Sequence, residues 1–280
     1  MPTDPPKSPP PKRSRGRPKS PFTEPQGTIQ ALERGLVVLR AVARADSLTL
    51  SEVSERLDMP VATAHRILAT LEKMRFVRLD QTSQRWSVGV EAFRTGTSFL
   101  RQTNMMEIGR TAMRRLMEDT GETANMAVRD GSEVVFIGQV ETHAPIRAFF
   151  RPGTRGALHA SGIGKALLSA LPQAEADALL SRAGLRDFTP HTRTNLADLR
   201  RDLAESTARG WAVDDEERYL GMRCVAAPIF DSSEQAVAGI SVSGPTVRLD
   251  RTAMEAIGPR VLQAAQEVQD GLGGRAPHSD

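Results

Sequence analysis

One cysteine, Cys224, occurs in 280 residues, so no internal disulfide framework can form and thiolates alone cannot build a structural zinc site. No apolar stretch approaches the roughly 18 residues of a membrane span, and the first residues lack the apolar core of a signal peptide. These absences predict a soluble, unexported, cytoplasmic chain with no membrane partner. Excess charge is scarce as well, at +3 overall, so composition alone argues weakly for nucleic acid. Its placement says more. Residues 1–26 hold Lys7, Lys12, Arg13, Arg15, Arg17 and Lys19 against Asp4 and Glu24, a net of +4 that leaves −1 for the remainder.

What is present divides the chain. An apolar content of 39% suffices for real cores, and the length suits two domains. Residues 1–26 contain nine prolines and almost no large apolar side chains, which predicts a disordered basic arm. Within it Arg15-Gly16-Arg17-Pro18 is similar to the core of an AT-hook, an extended segment whose arginines lie in a narrow A·T-rich minor groove. A generic basic tail is the competing reading.

Residues 27–89 predict a small helical domain. Ile29, Leu32, Leu36, Leu39 and Val42 recur at helical spacing and predict a first helix that completes a three-helix core. Thr49 and Glu52 have the spacing of a capping box, with Leu48 placed to staple onto Val53, so a helix begins at Leu50 and runs to about Leu57. Asp58-Met59-Pro60 interrupts it, and a second helix from Val61 to Met74 carries the stripe Ala64, Ile67, Leu68, Leu71. Phe76 to Leu79 and Arg85 to Val88 then alternate around a turn, as in a hairpin. Helix, turn, helix and hairpin in series make a winged helix-turn-helix, whose second helix enters a major groove of double-stranded DNA. Thr63 and His65 are the candidates to face the groove, and Arg66, Arg78 and Arg85 to hold phosphates, along with Arg15 and Arg17 of the arm.

Residues 90–103 predict a linker helix, residues 104–272 a second domain and residues 273–280 a disordered tail. Thr123 to Arg129 and Glu133 to Glu141 read as a hairpin around Asp130-Gly131, and Ile146 to Phe150 as a third strand. Helices follow over Ser161–Leu171, Gln173–Ser181 and Asn195–Arg209, then strands near Trp211, Cys224 and Val237, and a helix over Arg251–Val268. Antiparallel strands with helices on their faces define an α+β domain. His159 to Lys165 is a glycine-rich turn opening a helix, suited to an anion. It is no Walker loop, because the glycine spacing is wrong and Ala166 follows Lys165.

From Ile29 to Gly89, and on through Gly210-Trp211-Ala212-Val213-Asp214-Asp215-Glu216-Glu217 and Gly221 to Pro228, the chain resembles the IclR family of bacterial transcriptional regulators over about Gln26 to Val268. The resemblance implies a GAF- or profilin-like effector-binding domain, dimers or tetramers, and DNA as partner. It also implies a small organic acid contacted by Gly162, Ile163, Asp214, Cys224, Ser241 and Ser243, with Ala148 as an apolar wall. Many relatives carry alanine where this chain has Ile163. The likeness is nearest to regulators of glyoxylate-type metabolism, such as the β-hydroxyaspartate cycle. Asp214 would repel a second carboxylate, so the ligand's acid belongs at Gly162 and a hydroxyl or hydrated aldehyde at Asp214. Glyoxylate, glycolate and pyruvate fit. An aromatic acid against Phe149 and Phe150 is the rival.

Neither a cofactor, nor a resident metal, nor catalysis is expected. Cys224 with His159 and a carboxylate would make a thiol hydrolase, but no nucleophile motif surrounds it, and an apolar strand keeps a thiol inert. Cys224 with His143, His159 or His191 would make a metal sensor, but the spacing of a zinc site is missing. A constitutive architectural DNA-binding protein would need the arm and no pocket.

Overall fold

The computed structural model describes residues 29–101 and 105–277, so Arg15, Arg17 and the rest of the arm, along with residues 278–280, lie outside the described residues. The chain forms two compact units that divide between Thr95 and Gly96. That division falls inside one helix, a few residues before the expected boundary.

The first unit holds α1 (Gln30–Arg44), α2 (Leu50–Arg56), α3 (Val61–Lys73), β1 (Val77–Asp80) and β2 (Arg85–Val88). The capping box forms as the sequence dictates: the Thr49 hydroxyl accepts from the Glu52 N–H, and the Glu52 carboxylate accepts from the Thr49 N–H at 2.7 Å. Such a cap contributes about 1 kcal/mol. Leu48 and Val53 are both buried in the core, and Leu48 also bridges to Trp86 of the wing. Between the helices Asp58 takes a positive φ of 46°, the Ser54 hydroxyl donates to the Met59 carbonyl at 2.6 Å, and Pro60 caps α3. Val38, Val42, Val53, Ala64, Leu68, Val77 and Trp86 fill the centre. One expectation fails: Ile29, Leu32 and Leu36 do not complete this core but are exposed. The apolar arc of α1 is broader than the partners that α2 and α3 offer, and the core takes only the flank bearing Val38 and Val42.

α4 (Val90–Arg101) crosses the division, and the second unit continues with α5 (Met105–Thr120), β3 (Thr123–Asp130), β4 (Glu133–Val140) and β5 (Arg155–Ala157). Next come α6 (Gly162–Ser169), α7 (Gln173–Ala183), α8 (Leu196–Arg209), β6 (Ala212–Asp215), β7 (Met222–Phe230), β8 (Ala236–Pro245) and α9 (Arg251–Gly271). Six strands form one antiparallel sheet in the order β5-β4-β3-β8-β7-β6. The two-residue period of a strand sends alternate side chains to opposite faces. Val225, Ala227, Ile240 and Val242 pack on one core with residues of α5 and α9, whereas Cys224 and Ala226 join a second core with residues of α6, α7 and α8. The molecule is therefore α+β, a winged helix-turn-helix followed by an antiparallel sheet domain covered by helices.

Ile146 to Phe150 is not the expected third strand. The outer edge of β4 is already taken by β5, and further along the Phe136 N–H donates to Thr154 while Phe136 accepts from Gly153. With that edge filled, residues 146–150 run as irregular chain, tethered where the Ile146 carbonyl accepts from Arg248 at 2.8 Å.

Candidate functional site

The sheet register brings together residues far apart in sequence. Asp214 lies opposite Cys224, and Cys224 opposite Ser243, a row across β6, β7 and β8. In a parallel row Ala226 faces Ser241, which faces Asn125 of β3. The N-terminus of α6 lies directly on these rows. A Cβ on Gly162 would meet the Cys224 Sγ at 2.6 Å, and one on Gly164 would meet the Leu158 carbonyl at 2.3 Å, so only glycine permits this approach. The Ser161 hydroxyl caps the helix by accepting from the Gly164 N–H at 3.1 Å. The N–H groups of Gly162 and Ile163 precede the helix's own ladder and form its positive end.

These elements enclose a cavity of about 40 Å³, lined by Gly162, Ile163, Asp214, Cys224, Ser241 and Ser243. About 10–15 Å³ holds one water, so there is room for a few water-sized groups. The Ser241 Oγ is buried and has no hydrogen-bond partner among the described residues. A buried hydroxyl left unpaired is costly, and a polar ligand atom entering the cavity would satisfy it. Ser243, by contrast, accepts from Asn125 at 3.3 Å, and Asn125 accepts from Gln139 at 2.9 Å.

Asp214 is buried at 7% exposure, and its carboxylate accepts the Glu217 N–H at 2.8 Å. Burial and the nearby Glu217 push its pKa up to about 7. Burial and the Asp214 charge push the Cys224 thiol up to about 11, so it sits in the wall as a neutral thiol and not as a nucleophile. Burial lowers the pKa of His159, whose ring contacts the Arg186 carbonyl at 2.9 Å. No group of three His, Cys, Asp or Glu among the described residues could hold a metal.

Ala148 is fully buried but does not line the cavity, and Phe149 is exposed. Ile163 does line it, yet its branch lies over Gly239, where a Cβ would come within 2.7 Å of the Ile163 Cγ2. Sequence reasoning missed Asn125, Phe136, Arg155 and Tyr219; the strand pattern around Asn125 and Phe136 offered some signal, and nothing marked the other two. The Lys165 ammonium is itself buried and reaches two buried carboxylates, donating to Asp202 at 2.7 Å and Glu217 at 2.5 Å. Arg193 completes the cluster at 3.2 Å from Asp202 and 2.5 Å from Glu217.

In the first unit, His65 and Arg66 are exposed on α3 and Thr63 is half-buried. Arg78 is exposed on the wing and donates to Ser87 at 3.0 Å. Arg85 is engaged within the unit: its guanidinium bonds Ser47 at 3.0 and 3.1 Å and Glu52 at 3.0 Å, tying the wing to the start of α2.

A winged helix-turn-helix joined to a domain with a small cavity at a helix N-terminus defines the class of DNA-binding regulators that respond to a ligand. The model of the IclR helix-turn-helix domain matches residues 31–81, and that of the bacterial transcriptional regulator IclR C-terminal domain matches residues 97–270. The chain is 47% identical over 272 residues to the HTH-type transcriptional regulator BhcR of Paracoccus denitrificans, covering 96% of each. It is 39% identical over 264 residues to the transcriptional repressor IclR of Escherichia coli, covering 93% of this chain and 96% of the repressor. The crystal structure of Thermotoga maritima IclR superposes with a TM-score of 0.73 at 30% identity, covering 88% of this chain and all of that one. The chain belongs to the IclR family of bacterial transcriptional regulators. It is a regulator of transcription, not an enzyme.

Proposed function

We propose that the second domain binds a small carboxylic acid such as glyoxylate and thereby controls the binding of the winged helix to a promoter. The unpartnered Ser241 hydroxyl, buried in a cavity between Asp214 and the positive end of α6, carries this reading. The acid's carboxylate sits on the Gly162 and Ile163 N–H groups, its far end donates to Asp214, and Ser241 supplies a further hydrogen bond. Cys224, Ser243 and the Ile163 side chain form the wall. The small volume favours two- or three-carbon acids over an aromatic one.

On DNA, α3 presents Thr63 and His65 to the major groove while Arg66 and Arg78 hold phosphates. Arg85, with most of its donors committed to Ser47 and Glu52, contributes mainly by fixing the wing. Residues 1–26 supply Arg15 and Arg17 to an adjoining minor groove. The exposed apolar side chains of α1 support assembly into homodimers or tetramers. No helix among the described residues is long and apolar enough to cross a membrane, and the site of action is the cytoplasm, where the DNA is.

Calorimetry tests the effector. Glyoxylate, glycolate or pyruvate should give saturable heat with the full chain, and Ser241→Ala should weaken binding about tenfold, equivalent to roughly 1–2 kcal/mol. Absence of heat with all three acids at millimolar concentration, with micromolar binding of an aromatic acid, would overturn the small-acid reading.

A further inference from the structure

One wall of the cavity has no role in holding a carboxylate. Phe136 of β4 is nearly buried, and Phe150 lies flat on it, ring centroids 4.6 Å apart and planes 5° apart. Tyr219, exposed at the cavity rim, lies 6.5 Å from Phe150 with its ring tilted by 37°, and all three line the cavity. The layer is held from three directions. Phe136 belongs to the sheet. The chain beyond Phe150 is tied back to Phe136 by the Gly153 N–H at 2.7 Å. Tyr219 rides on the turn between β6 and β7, which is clasped by the Gly221 N–H donating to Glu216 at 2.8 Å. Arg218 on the same turn stacks over Phe188 at 3.8 Å.

Building on the small-acid reading, we propose that Phe150, held between Phe136 and Tyr219, is the residue that limits ligand size, its ring filling the space a hydroxybenzoate ring would need. Parallel stacking at this distance stabilises the ring pair beyond its buried area. Phe150 also lies on irregular chain, so its ring is positioned by side-chain packing on Phe136 and the core beneath it and not by strand pairing. Removing it opens a phenyl-sized space beside the anion site, and apolar holes of that size accept aromatic rings.

Full-length wild type, Phe150→Ala, Phe150→Leu and Tyr219→Ala would each be titrated calorimetrically with glyoxylate and with 4-hydroxybenzoate, thermal unfolding serving as the check on folding. In Phe150→Ala the ratio of 4-hydroxybenzoate to glyoxylate affinity should rise at least a hundredfold, and in Phe150→Leu and Tyr219→Ala at least threefold. A ratio within threefold of wild type in folded Phe150→Ala overturns the proposal. If that variant does not fold, unchanged ratios in the other two overturn it. Failure of wild type to bind glyoxylate would count against the small-acid reading alone; the size limit is then read from 4-hydroxybenzoate, which must bind the variants at least threefold more tightly than wild type.

Discussion

Asp214 is a carboxylate kept in a place that disfavours its charge. Desolvation and Glu217 raise its pKa from an ordinary 3.8 to about 7, against the opposing pull of Lys165 and two backbone N–H groups. The folded chain therefore holds the Asp214 proton more tightly than the unfolded chain does. Its contribution to stability is complete below about pH 4, declines as pH rises towards 7 and is flat beyond. Asp214→Asn keeps an acceptor for the Glu217 N–H without the charge. We predict that, in the absence of effector, the stability of Asp214→Asn relative to wild type increases from pH 4 to pH 8 by on the order of 3 kcal/mol. Urea unfolding at both pH values measures it, and a pH-independent difference would refute it. Legibility at this scale followed sequence distance. The Thr49–Glu52 box could be read because both partners lie within one turn of helix. The direction of Lys165 could not, since its partners Asp202 and Glu217 lie 37 and 52 residues away.

At the scale of elements, the cluster of Lys165, Arg193, Asp202 and Glu217 fastens α6, α8 and the turn after β6 to one another. Two positive and two negative groups balance, and removing one member leaves a buried charge uncompensated. We predict that Lys165→Met lowers stability by roughly 3–5 kcal/mol, and that adding Glu217→Gln recovers part of it. A loss below about 1 kcal/mol in denaturant titrations would mean that the cluster is dispensable. Strands and helices were mostly legible, because their periods are local. Exceptions arose where the partner decided the outcome: residues 146–150 carry an apolar pattern suited to a strand, but β5 occupies the edge they would need. Likewise α1 displays more apolar surface than its own unit covers. The cavity was legible only through family resemblance, because its rows are made by strand register.

For the whole molecule, two compact units divide the work: one carries the helix and wing suited to DNA, the other the enclosed site. Regulation requires that the ligand have different affinities for the DNA-competent and DNA-incompetent states. If the cavity is the sensor, any effect of a small acid on DNA must pass through Ser241 and Asp214. The most direct measurement is fluorescence anisotropy of a duplex from the gene's own upstream region, titrated with the full-length protein at constant salt, with and without millimolar glyoxylate. Glyoxylate should shift the DNA dissociation constant of wild type at least fivefold, and Ser241→Ala should bind DNA normally but need about tenfold more glyoxylate for the same shift. A shift at the same glyoxylate concentration in Ser241→Ala, or none in wild type with any small acid, would contradict it.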